Sequence, residues 1–289
     1  MVNQQQDRYC VLGNPVAHSK SPQIHARFAA LTGQSLYYER CLAPLDGFAQ
    51  TLADLLAAGF RGCNVTVPFK GQAFHAAPPA HQSARAQLAQ AANTLWFDAA
   101  GINADNTDGA GLVHDIQTNA SVALSGLDVL LIGAGGAAAG ALAPLLAAQP
   151  RRLVLTNRTA ARALALAAAH RSHPSLQKVL QKVQLQVQEI SGLEGDFDVI
   201  INASSSSLAG AAVPVSPSVL KPGALAYDMM YGPAAASFLS WAHQHGATPR
   251  DGLGMLVEQA AESFALWRGV RPPAAQVLAE MQAAGRAAA

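Results

Sequence analysis

Charge is scarce in this chain. Asp, Glu, Lys and Arg together make up 13% of the 289 residues, and the formal net charge is +1. No basic field is available to draw in nucleic acid or an anionic membrane, so neither is expected as a partner. Cysteine is rarer still: Cys10, Cys41 and Cys63 lack any CxxC spacing. That pattern excludes a disulfide framework and gives no reason to expect a bound metal. It fits a reducing cytoplasm, and residues 1–8 carry no apolar signal-peptide core. One uncharged apolar run, residues 129–148, is long enough to span a bilayer. It also contains Gly133, Gly135, Gly136, Gly140 and Pro144, which suit a strand, a turn and a helix better than a membrane span.

That run is the centre of the sequence. Val129-Leu130-Leu131-Ile132 reads as a strand buried on both faces. It ends in Gly133-Ala134-Gly135-Gly136-Ala137-Ala138, a GxGxxA form of the dinucleotide-binding fingerprint. Gly133 permits the tight turn, Gly135 lets backbone approach a pyrophosphate, and Ala138 allows helix to pack closely on strand. A helix to about residue 148 should aim its N-terminus at the phosphates. A second strand over 153–156 completes a βαβ unit.

The end of that second strand bears on the cofactor. NAD binders usually place Asp or Glu there for the ribose 2′-hydroxyl. This chain has Asn157-Arg158-Thr159 and, further on, Arg162. Two guanidinium groups with no carboxylate suit a 2′-phosphate, so the expected cofactor is NADP (NADPH). The bland alternative is a solvated helix start.

A chain of this length usually makes two domains. Along it, strands are expected over 9–13, 36–40, 93–98, 102–105, 183–187, 198–202 and 225–229. Helices are expected over 23–32, 47–58, 83–91, 160–171 and 255–267, with a last one to about 284. In the second helix Phe48, Leu52, Leu55 and Leu56 should face inward. Thr107 or Asp108 is placed to cap a helix running to about 118. Residues 173–182 read as an exposed connection, and Asp251-Gly252-Leu253-Gly254 as a glycine-rich hinge. His243 and His245 stand two apart, cannot share a helix face, and read as surface residues.

Two loops before the fingerprint hold chemistry-bearing side chains. His18-Ser19-Lys20-Ser21-Pro22 offers hydroxyl and ammonium donors to an anion; it is equally a turn with a serine cap before a first-turn proline, and both can hold at once. In Cys63-Asn64-Val65-Thr66-Val67-Pro68-Phe69-Lys70, apolar residues 63, 65 and 67 alternate with polar 64 and 66. Pro68 should end the strand and set Lys70 beyond its carboxyl end, where ligands of open α/β sheets bind.

These segments, with Asn93-Thr94, Asp105-Asn106-Thr107-Asp108-Gly109 and Asp251-Gly252-Leu253-Gly254-Met255-Leu256 plus Gln259, resemble the shikimate dehydrogenase family. The resemblance runs from about residue 9 to 267. It implies reversible NADPH-dependent reduction of 3-dehydroshikimate to shikimate, on the route to aromatic amino acids. It also implies an α/β architecture: a substrate domain of residues 1–107 plus 253–289, a Rossmann-type NADP domain of 108–252, and an active site in the cleft between them. Carried over by position, Ser19 and Ser21 would hold the substrate carboxylate, with Thr66 and Tyr231 nearby. Asn64, Asn93, Lys70, Asp108 and Gln259 would meet the ring oxygens, and Lys70 and Asp108 would be catalytic. Gly133, Ala134, Gly135, Gly136 and Ala137 with Asn157, Arg158, Thr159 and Arg162 would hold NADP, and Met229 and Gly252 would flank the nicotinamide. The protein would be a cytoplasmic monomer or homodimer. Two places depart from the family pattern: Ala138-Ala139, where a hydroxyl and a basic residue are usual, and the serine run 204–207, where a glycine is usual.

The residues themselves ask for the same chemistry. A carbonyl accepting hydride develops negative charge on oxygen, so a cation or an acid must stand beside it. Lys70 is placed for that task, and Asp108, if it meets Lys70, would orient it and sustain its charge. Two rivals remain. An NAD-preferring quinate/shikimate dehydrogenase would carry an acidic residue at Asn157 or Arg158. A non-catalytic NADP-binding regulator would lack Lys70 or Asp108.

Overall fold

The computed structural model describes residues 6–204 and 213–287. The chain divides into two compact units, Met1–Gly111 with Val257–Ala289, and Leu112–Leu256. Both crossings fall inside helices that begin at Asp108 and Leu253, a few residues beyond the expected limits of 107 and 252.

The first unit starts β1 (Asp7–Gly13), α1 (Ser21–Thr32), β2 (Leu36–Leu42), α2 (Phe48–Ala57), β3 (Phe60–Val65) and α3 (Lys70–Ala76). It continues α4 (Ala84–Ala89), β4 (Thr94–Asp98) and β5 (Gly101–Asp105). The sheet order is β2-β1-β3-β4-β5; β2, β1 and β3 run parallel, whereas β3/β4 and β4/β5 are antiparallel. One apolar layer packs Leu12, Val65 and Leu95 against Phe48, Leu52, Phe69 and Phe74 from α2 and the start of α3.

α5 (Asp108–His114) leads into the second unit and ends in a π-helical turn, Asp115–Asn119. Then come β6 (Asp128–Ile132), α6 (Gly136–Ala147), β7 (Arg152–Thr156), α7 (Ala160–Ser172), α8 (Gln177–Leu180) and β8 (Gln184–Val187). β9 (Phe197–Asn202), β10 (Leu220–Asp228), α9 (Ala236–Gln244) and β11 (Thr248–Arg250) follow. Its strands are all parallel, in the order β11-β10-β9-β6-β7-β8. Counted from β6, this is the doubly wound order 3-2-1-4-5-6, which binds dinucleotides at the carboxyl ends of its central strands. Every residue of β6 is buried, as a strand covered on both faces requires.

α10 (Leu253–Arg268) and α11 (Ala274–Ala287) complete the chain. On α10, Val257, Ala260, Ala261 and Phe264 are fully buried, the three- and four-residue spacing of a helix face turned to a core. Gln259 and Ser263, four apart and both buried, form a polar stripe beside it.

Several expectations need correction. β3 stops at Val65, short of Pro68, so Val67 is 65% exposed; Lys70 lies beyond the strand's carboxyl end, as expected, and opens a helix. Of the polar residues that alternate along 63–67, Asn64 is buried. Leu56 on α2 is exposed, since only Phe48, Leu52 and Leu55 share the buried stripe. α1 begins at Ser21 itself, with Pro22 in its first turn and the Ser19 hydroxyl accepting the Ser21 N–H at 3.3 Å. Residues 173–182 fold into a short 3₁₀ turn and α8, while α3 and β11 appear where no element was expected; α9 ends beside His243 and His245, where a helix end is expected. Of the serine run, Ser204 donates to the Asn202 Oδ1 at 2.7 Å; residues 205–207 lie outside the described residues. Among the described residues, no helix is long and apolar enough to cross a membrane.

Candidate active site

Asp108 is the first residue of α5, and the Thr107 carbonyl accepts the Gly111 N–H at 2.9 Å as the helix starts. Asn106 Oδ1 accepts the Asp108 backbone N–H at 3.1 Å, which leaves the carboxylate to turn elsewhere. It meets Lys70 Nζ at 2.6 Å and accepts from Asn93 Nδ2 at 2.9 Å. Lys70 is held at its own backbone, whose carbonyl accepts Ala92 N–H at 2.8 Å. The pair is asymmetric in exposure: the Lys70 side chain is 30% exposed, that of Asp108 only 9%. The ammonium therefore reaches outward from a carboxylate that is fixed and nearly dry.

Asn93 joins this pair to the rest of a buried network. Its Nδ2 also lies 2.9 Å from Thr107 Oγ1 and 3.0 Å from Gln259 Oε1, and its Oδ1 accepts from Thr107 N–H and Thr94 Oγ1. Asn64 Nδ2 donates to Ser263 Oγ at 3.0 Å, and Asn64 Oδ1 accepts the Tyr38 hydroxyl at 2.8 Å. Ser263 and Thr94 hydroxyls meet at 2.8 Å, which closes the network between α10 and the β3–β4 pair. Asn64, Asn93, Lys70, Asp108 and Gln259, separated by up to 195 positions in sequence, thus share one hydrogen-bonded cluster. Such a network holds its members in one geometry because leaving any of them unsatisfied is costly.

Sequence reasoning missed Tyr38, Thr94, Asn106, Thr107 and Ser263 as members. The signal was present in Gln259 and Ser263, whose four-residue spacing puts two polar groups beside an apolar helix stripe.

Ser19 and Ser21 stand together at the start of α1, their hydroxyls 3.2 Å apart. Arg40 donates to the Ser19 carbonyl at 2.6 Å and so fixes this loop against β2. Thr66 is half-buried, its N–H bound to the Leu12 carbonyl at 2.9 Å and its methyl filling the space that a side chain on Gly13 would need. On the buried face of α1, His25 is fully buried and stacks on Tyr38 with ring centroids 4.2 Å apart. Burial pushes its imidazole down to about 3, so it stays neutral.

In the second unit the fingerprint turn follows β6. Gly133 has φ +115°, and an added Cβ would strike the Ala203 carbonyl at 2.9 Å, so only glycine fits. Gly135 and Gly136 face open space instead, as a turn approached by a pyrophosphate must. Ala137 lies half-buried in the first turn of α6 and Ala138 is fully buried; Ala134 sits in the turn itself. After β7, Asn157 Nδ2 donates to the Thr159 carbonyl at 2.9 Å and shapes the turn. Arg158 and Arg162 are exposed, with no side-chain partner among the described residues. These groups fit a dinucleotide that carries a 2′-phosphate.

The ends of β9 and β10 are tied by buried side chains. Asn202 Nδ2 donates to Asp228 at 3.0 Å, and Asp228 accepts Met230 N–H at 2.8 Å. Met229 N–H reaches the Asn202 carbonyl at 3.0 Å. Gly252 packs so closely on the Met229 carbonyl that no side chain fits there. Tyr231 follows in the same turn, half-buried, its phenol shifted upward by burial.

Comparison with known proteins identifies the family. Residues 11–95 match the shikimate dehydrogenase substrate binding domain, 115–210 the shikimate/quinate 5-dehydrogenase domain, and 252–282 the shikimate 5'-dehydrogenase C-terminal domain. Shikimate dehydrogenase (NADP(+)) of Acidovorax sp. strain JS42 is 63% identical over 278 residues, 96% of both chains. The protein of that name from Verminephrobacter eiseniae is 62% identical over 284 residues, 98% of this chain and 96% of its own. Among solved structures, an Ael1 enzyme from Pseudomonas putida superposes with a TM-score of 0.85 at 44% identity, covering 95% of this chain and 98% of that one. Shikimate 5-dehydrogenase of Thermus thermophilus, in complex with NADP(H) and shikimate, gives 0.77 at 30% identity, covering 94% and 100%.

Proposed function

The chain belongs to the shikimate dehydrogenase family, and from that premise we propose that it catalyses the reversible NADPH-dependent reduction of 3-dehydroshikimate to shikimate. The observation that carries this reading is the Lys70–Asp108 pair at 2.6 Å, locked by Asn93. A reductase of a ketone needs a proton donor beside the oxygen that gains charge, and this pair is one.

NADPH, when bound, supplies the hydride that adds to the ketone carbon. The chain's residues do the rest. Lys70 Nζ donates a proton to the former carbonyl oxygen, which becomes the hydroxyl of shikimate. Asp108 holds the ammonium in place, and the proton lost is replaced from solvent on the exposed side of Lys70. Asn64, Asn93 and Gln259 hold the ring hydroxyls from a network already formed, which limits reorganisation on binding. Ser19 and Ser21 donate to the substrate carboxylate, with Thr66 and Tyr231 as further donors. Arg158 and Arg162 bind the 2′-phosphate with charge-assisted hydrogen bonds, Gly133 to Ala137 cradle the pyrophosphate, and Met229 and Gly252 border the nicotinamide.

An NAD-preferring relative acting on quinate is disfavoured by the two unpaired guanidinium groups where a carboxylate would stand. The three cysteines are free thiols, in keeping with a cytoplasmic enzyme. The test is purified protein with shikimate or quinate, each with NADP or NAD, followed by nicotinamide absorbance. Turnover of shikimate with NADP is expected; turnover only with quinate and NAD overturns the reading.

A further inference from the structure

Asp108 and Gln259 sit on different elements, and a single charge network reaches both. Asp105, the last residue of β5, is 3% exposed, and both oxygens of its carboxylate are engaged. Its Oδ1 accepts from Arg85 Nε at 3.1 Å, from the Asn106 N–H at 2.7 Å and from the Ser83 hydroxyl. A second guanidinium nitrogen of Arg85 meets Oδ2. Asn106 then passes this position on: its Oδ1 holds the Asp108 N–H at 3.1 Å, and its Nδ2 is anchored on the Ala91 carbonyl at 3.1 Å. On its other side, Arg85 lies 3.6 Å from Glu262 of α10, three residues beyond Gln259. Arg271 clamps the same helix through Glu262 and Glu258.

We infer that Arg85 is a positioning residue for the reaction: through Asp105 and Asn106 it sets the Asp108 carboxylate on Lys70, and through Glu262 it sets Gln259. The inference rests on the function proposed above. Its physical basis is that a carboxylate buried with its guanidinium removed keeps only two neutral donors, a costly arrangement. The loop 105–108 must then shift, and Asp108 shifts with it. Small displacements of a reacting group cost far more in rate than in binding.

The test is a double-substitution cycle in the full-length protein, reading kcat and both Michaelis constants. Arg85→Met should lower kcat by about ten- to a hundredfold, raise the KM for substrate modestly and leave the KM for NADPH unchanged. In an Asp108→Asn background the same substitution should cost little more, because its route of action is already cut. Arg85→Lys should restore part of the loss. Arg27→Met, which breaks the Arg27–Glu280 ion pair between α1 and α11, should leave kcat unchanged. Equal losses in both backgrounds, or a folded Arg85→Met with parental kcat, overturn the inference. If circular dichroism shows Arg85→Met unfolded, Asp105→Asn goes through the same cycle with the same two outcomes. An unsubstituted protein inactive on shikimate with NADP sinks the proposed function itself; an active one with additive losses sinks only the role of Arg85.

Discussion

The two sheets bury opposite kinds of surface. In the second unit β6, β9 and β10 enclose Leu130, Ile132, Ile200 and Ala226 in an apolar layer. Its polar groups gather at the strand ends, where Asn202 joins Asp228. In the first unit one face of the β3–β4 pair is apolar, but the other buries Asn64, Thr94 and Asn93 under Gln259 and Ser263 of α10. The difference follows from what each must hold. A dinucleotide is gripped by backbone at a glycine turn and by exposed guanidinium groups, which need a rigid scaffold more than a polar interior. A small ring with several oxygens needs converging side chains, and those keep one geometry only when each is satisfied by another. Substitutions in the first unit should therefore damage turnover or substrate binding, and those in the second should change cofactor choice.

The largest expected effect breaks the reacting pair. Lys70→Ala should cut kcat by about 10²–10⁴ with only small changes in either Michaelis constant, since its proton matters as charge develops. Asp108→Asn should also impair turnover, and the double variant should lose much less than the product of the two. Steady-state kinetics on protein checked by circular dichroism decides this; near-normal turnover in Lys70→Ala would sink the mechanism.

In the second unit, each contact from Arg158 and Arg162 to a 2′-phosphate is worth roughly 1.5–3 kcal/mol. Together they should favour NADP over NAD by about a hundredfold or more. Replacing both with Ala should raise the KM for NADP and leave that for NAD nearly unchanged, with kcat at saturation retained. Equal weakening of both cofactors would mean that these side chains do not read the phosphate.

A smaller effect is expected at the α1 loop. Ser19→Ala removes one neutral donor that serves ground and transition states alike, so the KM for shikimate should rise by about tenfold at constant kcat. Unchanged substrate affinity removes Ser19 from the site.

The smallest effect concerns stability. The unfolded chain protonates His25 below about 6.5, whereas the folded chain resists until about 3. Stability from this site is thus complete above 6.5 and is lost as pH falls toward 3. At pH 5 the loss is about 2 kcal/mol. His25→Phe keeps a ring to stack on Tyr38 and should flatten this part of the profile. Denaturant melts at pH 7 and pH 5 would show it, and an unaltered pH dependence would mean that His25 does not set it.

Local patterns carried the second unit almost unaided. The run from Val129 to Ile132, the glycine turn and the change of period into α6 are written in consecutive residues, because a βαβ unit is built by neighbours. The arginines after β7 were equally legible, since the fingerprint fixes where the ribose must lie. The first unit was different. Alternation along residues 63–67 marked an apolar and a polar face, but not whether the polar face is wet or buried. Only the packing of α10, arriving from the far end of the chain, turned Asn64 and Asn93 into buried groups and joined Asn93 to Gln259 at 3.0 Å. Arg85 carries no local signature at all, and Ser263 only its four-residue spacing from Gln259. Their parts depend on partners 20 to 199 positions away, and periodicity, which reports one element at a time, cannot see which elements a fold will bring together.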